Sequence, residues 1–374
     1  MYRTTNRPNT RIEVADALRG IAVAGIILFH AREHFNLYWS ALDLSRAGFG
    51  SWEQPVADAL GFLLSGKMYA IFALLFGLSF FIQSDNQAQR GNDFSLRFAW
   101  RMVLLFGIGL VNAAIYNGDV LTYYALFGLL MIPIGKLPNR WVWVIAALLF
   151  IQPLELWQYF SGHTLSIRGI EGMETLYPTL ATGTFAESAR VSLLYGPLSS
   201  FGWGLEHGRG TQTLLMFVLG MLAGRYRLFY DEGQHRRIWG GLLAMGIAGT
   251  WLVPFEAMRN LMTATAIVST VVLLWYGWPG FRRVLHGMTF FGRMSLTNYL
   301  LQSLLGTALF YNWGLGLYRH VDVIYGTLEG VGIILVQYLF CRLWLRRHTH
   351  GPVEWVWKKL TWVDLPLFDR KIAS

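Results

Sequence analysis

The stretch Asp16-Ala-Leu-Arg-Gly-Ile-Ala-Val-Ala-Gly-Ile-Ile-Leu-Phe-His30-Ala-Arg-Glu-His34 decides the fold. It reads as an apolar helix with a cation at one end and two imidazoles at the other. At about 100° and 1.5 Å per residue, Arg19 and His30 fall roughly 20° apart around the axis and about 16 Å apart along it. His34 follows one turn later on nearly the same side. Such a helix, set in lipid, is polar at both ends of one face and apolar between. Polar groups in a bilayer are costly, so they face a cavity, a partner or a pathway. Two plainer readings stay open: Arg19 as a positive-inside anchor, and His30 as an interhelical hydrogen bonder. A signal peptide is a third, because Ile21 to Phe29 has the length of its apolar core. The charged Ala31-Arg32-Glu33 that follows offers no small-residue cleavage pattern, so a retained first helix is expected.

Composition extends that reading to the whole chain. Of 374 residues, 54% are hydrophobic and 14% charged, with a mean hydropathy of +0.39. A soluble domain carries about 25% charged residues, so the expected fold is an all-α polytopic transmembrane bundle. Sixteen Trp and seventeen Tyr suit interfacial belts, and forty Gly suit close helix packing. The single Cys341 excludes an intrachain disulfide and a Cys-rich metal site. A net charge of +9 suits nucleic acid in the abstract, but the basic residues are scattered in short loops, and topology accounts for them better.

Ten spans are expected, at 15–34, 66–83, 97–116, 119–135, 141–160, 211–228, 237–255, 260–278, 292–313 and 325–345. With both termini cytoplasmic, only eight of the 31 Lys and Arg fall outside, and every inner loop is basic. Residues 1–374 form one integral domain. Within it, Trp52 to Ser65 reads as a short interfacial or re-entrant helix. Residues 161–209 make a long outer loop carrying Glu171, Glu174, Glu187, Glu206 and His207, with amphipathic pieces expected to cap the bundle. Residues 346–374 form a cytoplasmic tail.

The candidate chemistry lies at the helix ends. Arg101 and Asn112 repeat the eleven-residue spacing of Arg19 and His30. Asn117-Gly118-Asp119 then turns the chain, with Asp119 placed either to cap the next helix or to orient an imidazole. Ser295, Asn298 and Gln302 form a polar stripe for interhelical hydrogen bonds or for a bound cofactor. Gly220-Met-Leu-Ala-Gly224 is a packing motif. Lys67 is expected to snorkel to the outer interface, and Glu256 with Arg259 to form a short outer loop. His30 and His34 have metal-ligand spacing, but no third ligand accompanies them, so no metal is expected. Neither a phosphate loop nor a nucleophile elbow is present, which disfavours an ATP-driven pump.

Several of these segments resemble known families. Asp16-Ala-Leu-Arg-Gly-Ile-Ala with Leu-Phe-His30 resembles the first helix of membrane acyltransferases of the acyltransferase-3 type. Ile71-Phe-Ala-Leu-Leu-Phe-Gly77, Gly118-Asp-Val-Leu-Thr-Tyr-Tyr-Ala, Gly292-Arg-Met-Ser-Leu-Thr-Asn-Tyr-Leu-Leu-Gln302 and His350-Gly-Pro-Val-Glu-Trp-Val-Trp resemble the YeiB-like bacterial membrane proteins, nearly end to end. That family is distantly related to transmembrane acyltransferases, which include heparan glucosaminide N-acetyltransferase. The resemblance implies acyl transfer from cytosolic acyl-CoA to an acceptor at the outer face, with His30 catalytic and Arg19 beside it. YeiB-like sequences often carry Asn at the His30 position and His at the Asn112 position.

The resulting expectation is a polar cavity open to the cytoplasm and running on as a tunnel. Arg19, Arg101 and Arg293 would bind the phosphates of acyl-CoA, the co-substrate, with Asn298 and Gln302 as further cofactor-binding residues. His30 would be the general base, Asp119 its orienter, and Asn112 or Asn298 the oxyanion donor. The expected partners are the lipid bilayer of the cell inner membrane and a small-molecule or glycan acceptor, with a homodimer left open and nucleic acid excluded. A transporter or flippase of a small polar or lipid-linked molecule is the alternative, and a non-enzymatic scaffold the third reading.

Overall fold

The computed structural model describes residues 11–31, 53–163, 172–230, 234–317 and 323–363, so His34 and Glu171 lie outside it. Among the described residues there is no strand. The helices are α1 (Glu13–Phe29), α2 (Glu53–Leu64), α3 (Lys67–Ala88), α4 (Ser95–Ile115), α5 (Leu121–Lys136), α6 (Asn139–Phe150), α7 (Pro153–Ser161), α8 (Leu176–Thr182), α9 (Phe185–Glu206), α10 (Arg209–Arg225), α11 (Arg236–Leu252), α12 (Glu256–Gly277), α13 (Pro279–Arg293), α14 (Ser295–Phe310), α15 (Val323–Trp344) and α16 (Pro352–Thr361).

Five helical stretches among the described residues are long and apolar enough to cross a membrane: Pro55–Ala88, Ser95–Ile115, Asn139–Ser161, Glu256–Gly277 and Ile324–Trp344. The protein is a polytopic helical membrane protein. The remaining expected spans correspond to α1, α5, α10, α11 and α14, each of 16 or 17 residues. At 1.5 Å per residue these reach about 24–26 Å, the short end of a hydrocarbon core about 30 Å thick. The 141–160 span is broken into α6 and α7 at Gln152, whose backbone is left-handed ahead of Pro153. Proline disfavours a right-handed helical residue before it, so the helix must be interrupted there.

Basic ends collect on one face. Arg225 donates to Leu137 O and Gly135 O, Lys136 pairs with Asp93 at 3.2 Å, and Arg282 pairs with Glu13 at 2.8 Å. The start of α1 and the last described helix, α16, share this face, as an even number of crossings requires. At the opposite end α9 lies across α4 with a capping box, its Thr184 and Glu187 satisfying each other's backbone amides. It lies within residues 161–209, the stretch expected to form a long outer loop, and it presents no distinct apolar face.

Two crossings set the core. In the first, α13 packs along α1, where a Cβ at Gly292 would overlap Asp16 O. Residues 279–291, expected to be an inner loop, therefore belong to a helix packed on α1, with Thr289, Phe291 and Gly292 buried. In the second, α3 crosses α10 with Gly220 against Leu74 O and Gly224 against Phe81. The small-residue motif thus brings two backbones into contact. Between the two crossings, Phe76 stacks on Phe217 at 4.5 Å, and Tyr124 meets Phe76 edge-on at 5.8 Å.

Candidate functional site

Two cavities flank the middle of α1. The one at the basic face has a volume of about 210 Å³, and Arg19, Arg101 and Arg293 all line it, with Ser79, Gln83, Tyr124, Ser295, Glu354 and Trp357. The other, about 140 Å³, lies toward the opposite face and is lined by Ile26, His30, Gly66, Tyr69, Asn117, Ser199, Ser200 and Trp203 among others. α1 serves both because Arg19 and Ile26 are two turns apart on one side. For the same reason α3 gives Phe72 to one cavity and Tyr69 to the other.

The three arginines are held differently. Arg19 donates to Asp16 at 2.9 Å and to Ser79 at 3.0 Å, and Asp16 also binds Arg11 at 2.8 Å. Arg293 donates to Thr349 O at 3.0 Å. The Arg101 guanidinium lies 3.5 Å from the centre of the Trp357 ring, and none of its N–H groups meets an acceptor among the described residues. A forked cation with five donors and no acceptor, facing a cavity, is set up for an anion.

The wall of this cavity at the C-terminal side is α16. The Glu354 carboxylate accepts from Leu296 N at 2.7 Å, Thr297 N at 3.0 Å and the Thr297 hydroxyl, so it caps the start of α14. Burial pushes its carboxyl above the ordinary carboxylate range, against the pull of those bonds. Trp357 Nε1 donates to Arg101 O at 3.2 Å, and Trp100 Nε1 donates to Leu360 O at 3.0 Å. What the sequence presents as a tail is thus docked onto the basic cavity.

In the second cavity His30 ends α1. It is buried, with its ring 5.1 Å from that of Tyr116. Gln302 Nε2 lies 3.1 Å from His30 Nδ1, and the Gln302 Oε1 has no partner among the described residues. An amide can serve either neutral tautomer: its N–H donates to a bare Nδ1, or, turned over, its oxygen accepts from Nδ1–H and leaves Nε2 basic.

Several expected roles are redistributed. Asp119 was expected to orient His30, but its carboxylate accepts from Asn112 at 2.9 Å and from Thr122 N at 2.9 Å, capping α5. Gln302 is a side chain hydrogen-bonded to the His30 ring, whereas the Asp119 carboxylate bonds Asn112 and Thr122. Asn112 is fully buried on Asp119, with its carbonyl oxygen unpartnered among the described residues, and it lines neither cavity. Asn298 also lines neither. It donates to Phe291 O at 3.0 Å and exchanges contacts with the Cys341 thiol, so it ties α14 to α13 and α15. Lys67 is only 6% exposed and does not snorkel. Glu256 begins α12 and pairs at 3.0 Å with Arg209, itself 2% exposed.

The expected continuous tunnel is interrupted. Tyr124, in the wall of the basic cavity, donates to the backbone oxygen of Tyr69, in the wall of the other, at 3.0 Å. Val120 N donates to the Tyr299 hydroxyl at 3.1 Å beside them. The Tyr69 and Tyr124 rings, one from each wall, meet edge-on with centres 5.3 Å apart. Sequence reasoning missed this contact because tyrosines in a membrane protein read equally well as belt residues.

These features define a helical membrane protein with a cation-lined cavity and an imidazole-lined cavity on opposite halves of one helix. The chain is 31% identical to YxaH of Bacillus subtilis (strain 168), over 95% of each sequence, and 28% identical to YeiB of Escherichia coli (strain K12), over 92% of this chain and 95% of that one. It belongs to their family, the YeiB-like proteins. A 39.9 kDa protein of Bacillus acidopullulyticus matches at 26% over 94% of each chain. Residues 11–176 match the family model of the heparan-alpha-glucosaminide N-acetyltransferase catalytic region, and residues 244–364 match a protein family of unknown function, DUF418. The first match holds Arg19, His30, Arg101, Asn112 and Asp119, and the second holds Arg293, Asn298, Gln302 and Glu354. Among the described residues no group of three or more His, Cys, Asp or Glu could hold a metal ion.

Proposed function

We propose that the protein is a membrane acyltransferase of the bacterial inner membrane, taking its acyl group from cytosolic acyl-CoA and passing it to a hydroxyl or amine acceptor at the outer face. The observation that carries this reading is the Arg101 guanidinium, without an acceptor among the described residues, in a cavity it shares with Arg19 and Arg293. Guanidinium forks match phosphate oxygens, and the nucleotide of CoA offers three phosphate groups. The match to an acetyltransferase catalytic region supports the same chemistry.

In the proposed reaction the thioester passes the Tyr69–Tyr124 contact, with Tyr124 releasing Tyr69 O. His30, with Gln302 Oε1 accepting its Nδ1–H, uses Nε2 to take the proton from the acceptor hydroxyl or amine. The acceptor atom attacks the thioester carbonyl, the carbon–sulfur bond breaks, and the imidazolium returns the proton to the departing CoA sulfur. Asn117, Ser65, Ser199 and Ser200 are among the polar side chains that line this space and can hold the acceptor.

The test is thermal-shift titration of the purified protein with coenzyme A and acetyl-CoA, followed by thiol release in proteoliposomes supplied with candidate outer-face amines and sugars. Binding raises the melting temperature by mass action. His30→Ala should retain the shift and lose thiol release. A wild-type protein unmoved by either CoA species would favour the transporter reading instead.

A further inference from the structure

The basic cavity is too small for what it is proposed to bind. At about 210 Å³ it falls below the roughly 300–1,000 Å³ of pockets that enclose drug-sized ligands. CoA is larger than such a ligand. A ligand of that size must either extend out of the cavity or displace part of its wall. Most of the wall is built from helices packed within the bundle: α1, α3, α4, α5 and the junction of α13 with α14. The exception is α16.

Three features make α16 separable. Of its ten residues only Thr361 is fully buried, and the apolar surface it sets against the core is that of the partly buried Val353 and Trp357. Beyond that packing its attachments are polar: Glu354 on Leu296 and Thr297 and Trp357 on Arg101 at the cavity, and Arg97 donating to Thr361 O at 3.1 Å at its far end. Its outward face exposes Trp355, Val356 and Leu360 beside Lys358 and Lys359, with the Lys359 ammonium 5.1 Å from the Trp355 ring centre. An apolar stripe edged with lysine suits the plane of the membrane surface, so the helix has a second place to rest.

Glu354 decides what would move it. Its carboxylate is an anion buried among the backbone amides that open α14, in the same cavity as the three arginines. A helix N-terminus and guanidinium groups both attract anions, and here the protein's own carboxylate holds that position. We propose that α16 is a displaceable cover, its Glu354 carboxylate occupying the anion position of the basic cavity until a phosphate of coenzyme A takes its place. This inference rests on the donor site proposed above. It adds that the site is closed in the absence of ligand and that ligand binding opens it. Burial already opposes ionisation of Glu354, which makes its departure to water easier than that of an ordinary helix cap.

The experiment is hydrogen–deuterium exchange of the full chain in phosphatidylcholine nanodiscs, with and without coenzyme A, alongside CoA affinity for wild type and Glu354→Gln. Exchange across 352–361 should rise on CoA addition, because the contacts of α16 are surrendered. Glu354→Gln keeps a cap acceptor but removes the competing charge, and it should bind CoA about tenfold more tightly. The exchange readout is the decisive one, since charge removal alone could tighten binding without any movement. If CoA binds while α16 exchange stays level or falls, the cover is overturned and the anion site stands. If Glu354→Gln binds no better than wild type, the cover is likewise overturned. If α16 loosens with phosphatidylglycerol in the disc and not with CoA, the displacing phosphate is a lipid headgroup and the proposal fails. If neither protein binds CoA, the donor-site reading falls and the cover falls with it.

Discussion

Arg101→Ala should weaken coenzyme A binding more than the loss of either companion arginine, and the structure sets the size of the difference. Hydrogen bonds to charged groups contribute about 1.5–3 kcal/mol each. Arg101 has no acceptor among the described residues, so its whole fork is available to a phosphate. Its removal should cost about 2–3 kcal/mol of binding, roughly 30- to 140-fold in Kd. Arg19 already has one N–H on Asp16 and one on Ser79, so Arg19→Ala should cost about 1–1.5 kcal/mol, near tenfold. Arg101→Lys keeps the charge and loses the fork, and should fall between wild type and Arg101→Ala. On the protein alone, Arg101→Ala forfeits only the contact with the Trp357 ring, about 0.5–2 kcal/mol, so the variant should fold. The assay is equilibrium binding of radiolabelled CoA to protein in nanodiscs, with melting temperature as the control. A Kd unchanged in Arg101→Ala, or an effect smaller than that of Arg19→Ala, would refute the assignment of the fork to phosphate.

Other perturbations probe the frame around the site. Gly220→Ala drives a methyl into Leu74 O and should lower stability by about 1–3 kcal/mol, whereas Gly240→Ala, with no atom within 4 Å of the new carbon, should be neutral or slightly stabilising; thermal unfolding in detergent separates the two. Gln302→Leu should abolish CoA thiol release while leaving CoA affinity unchanged, because it touches His30 and not the basic cavity. His350 beside α16 has its pKa held low by burial and by Lys358, Arg293 and Arg11. A depressed histidine favours the fold while neutral, so this stability is present above the unfolded value of about 6.5 and is lost as pH falls through the folded value. Melting temperature should therefore drop between neutral and mildly acidic pH, and His350→Gln should flatten that drop.

Much of this architecture was legible because a bilayer enforces a simple rule: about twenty apolar residues per crossing, with cations left on one side. That rule located the helices and placed Arg19, Arg101 and Arg293 at one level. The structure adds that all three face one cavity. Other features were hidden for physical reasons. α13 and α16 are amphipathic and too polar for a hydropathy signal, so they read as loop and tail. Gln302, which meets the His30 ring, lies 272 residues away in the chain, and no spacing within one helix could pair the two. Asp119 does what Asp most often does ahead of a helix, which is to cap it. The buried Arg209, paired with the exposed Glu256, was missed because it looks, taken singly, like an ordinary surface charge at a helix end.

The central claim, that CoA enters a guanidinium-lined space on the basic half of α1, is met most directly by a density map of the protein in nanodiscs saturated with coenzyme A. The account predicts phosphate density against Arg101, with Arg19 and Arg293 alongside and the thiol arm directed at the Tyr69–Tyr124 pair. Phosphate density at any other surface, or a basic cavity unchanged at saturating ligand, would contradict it.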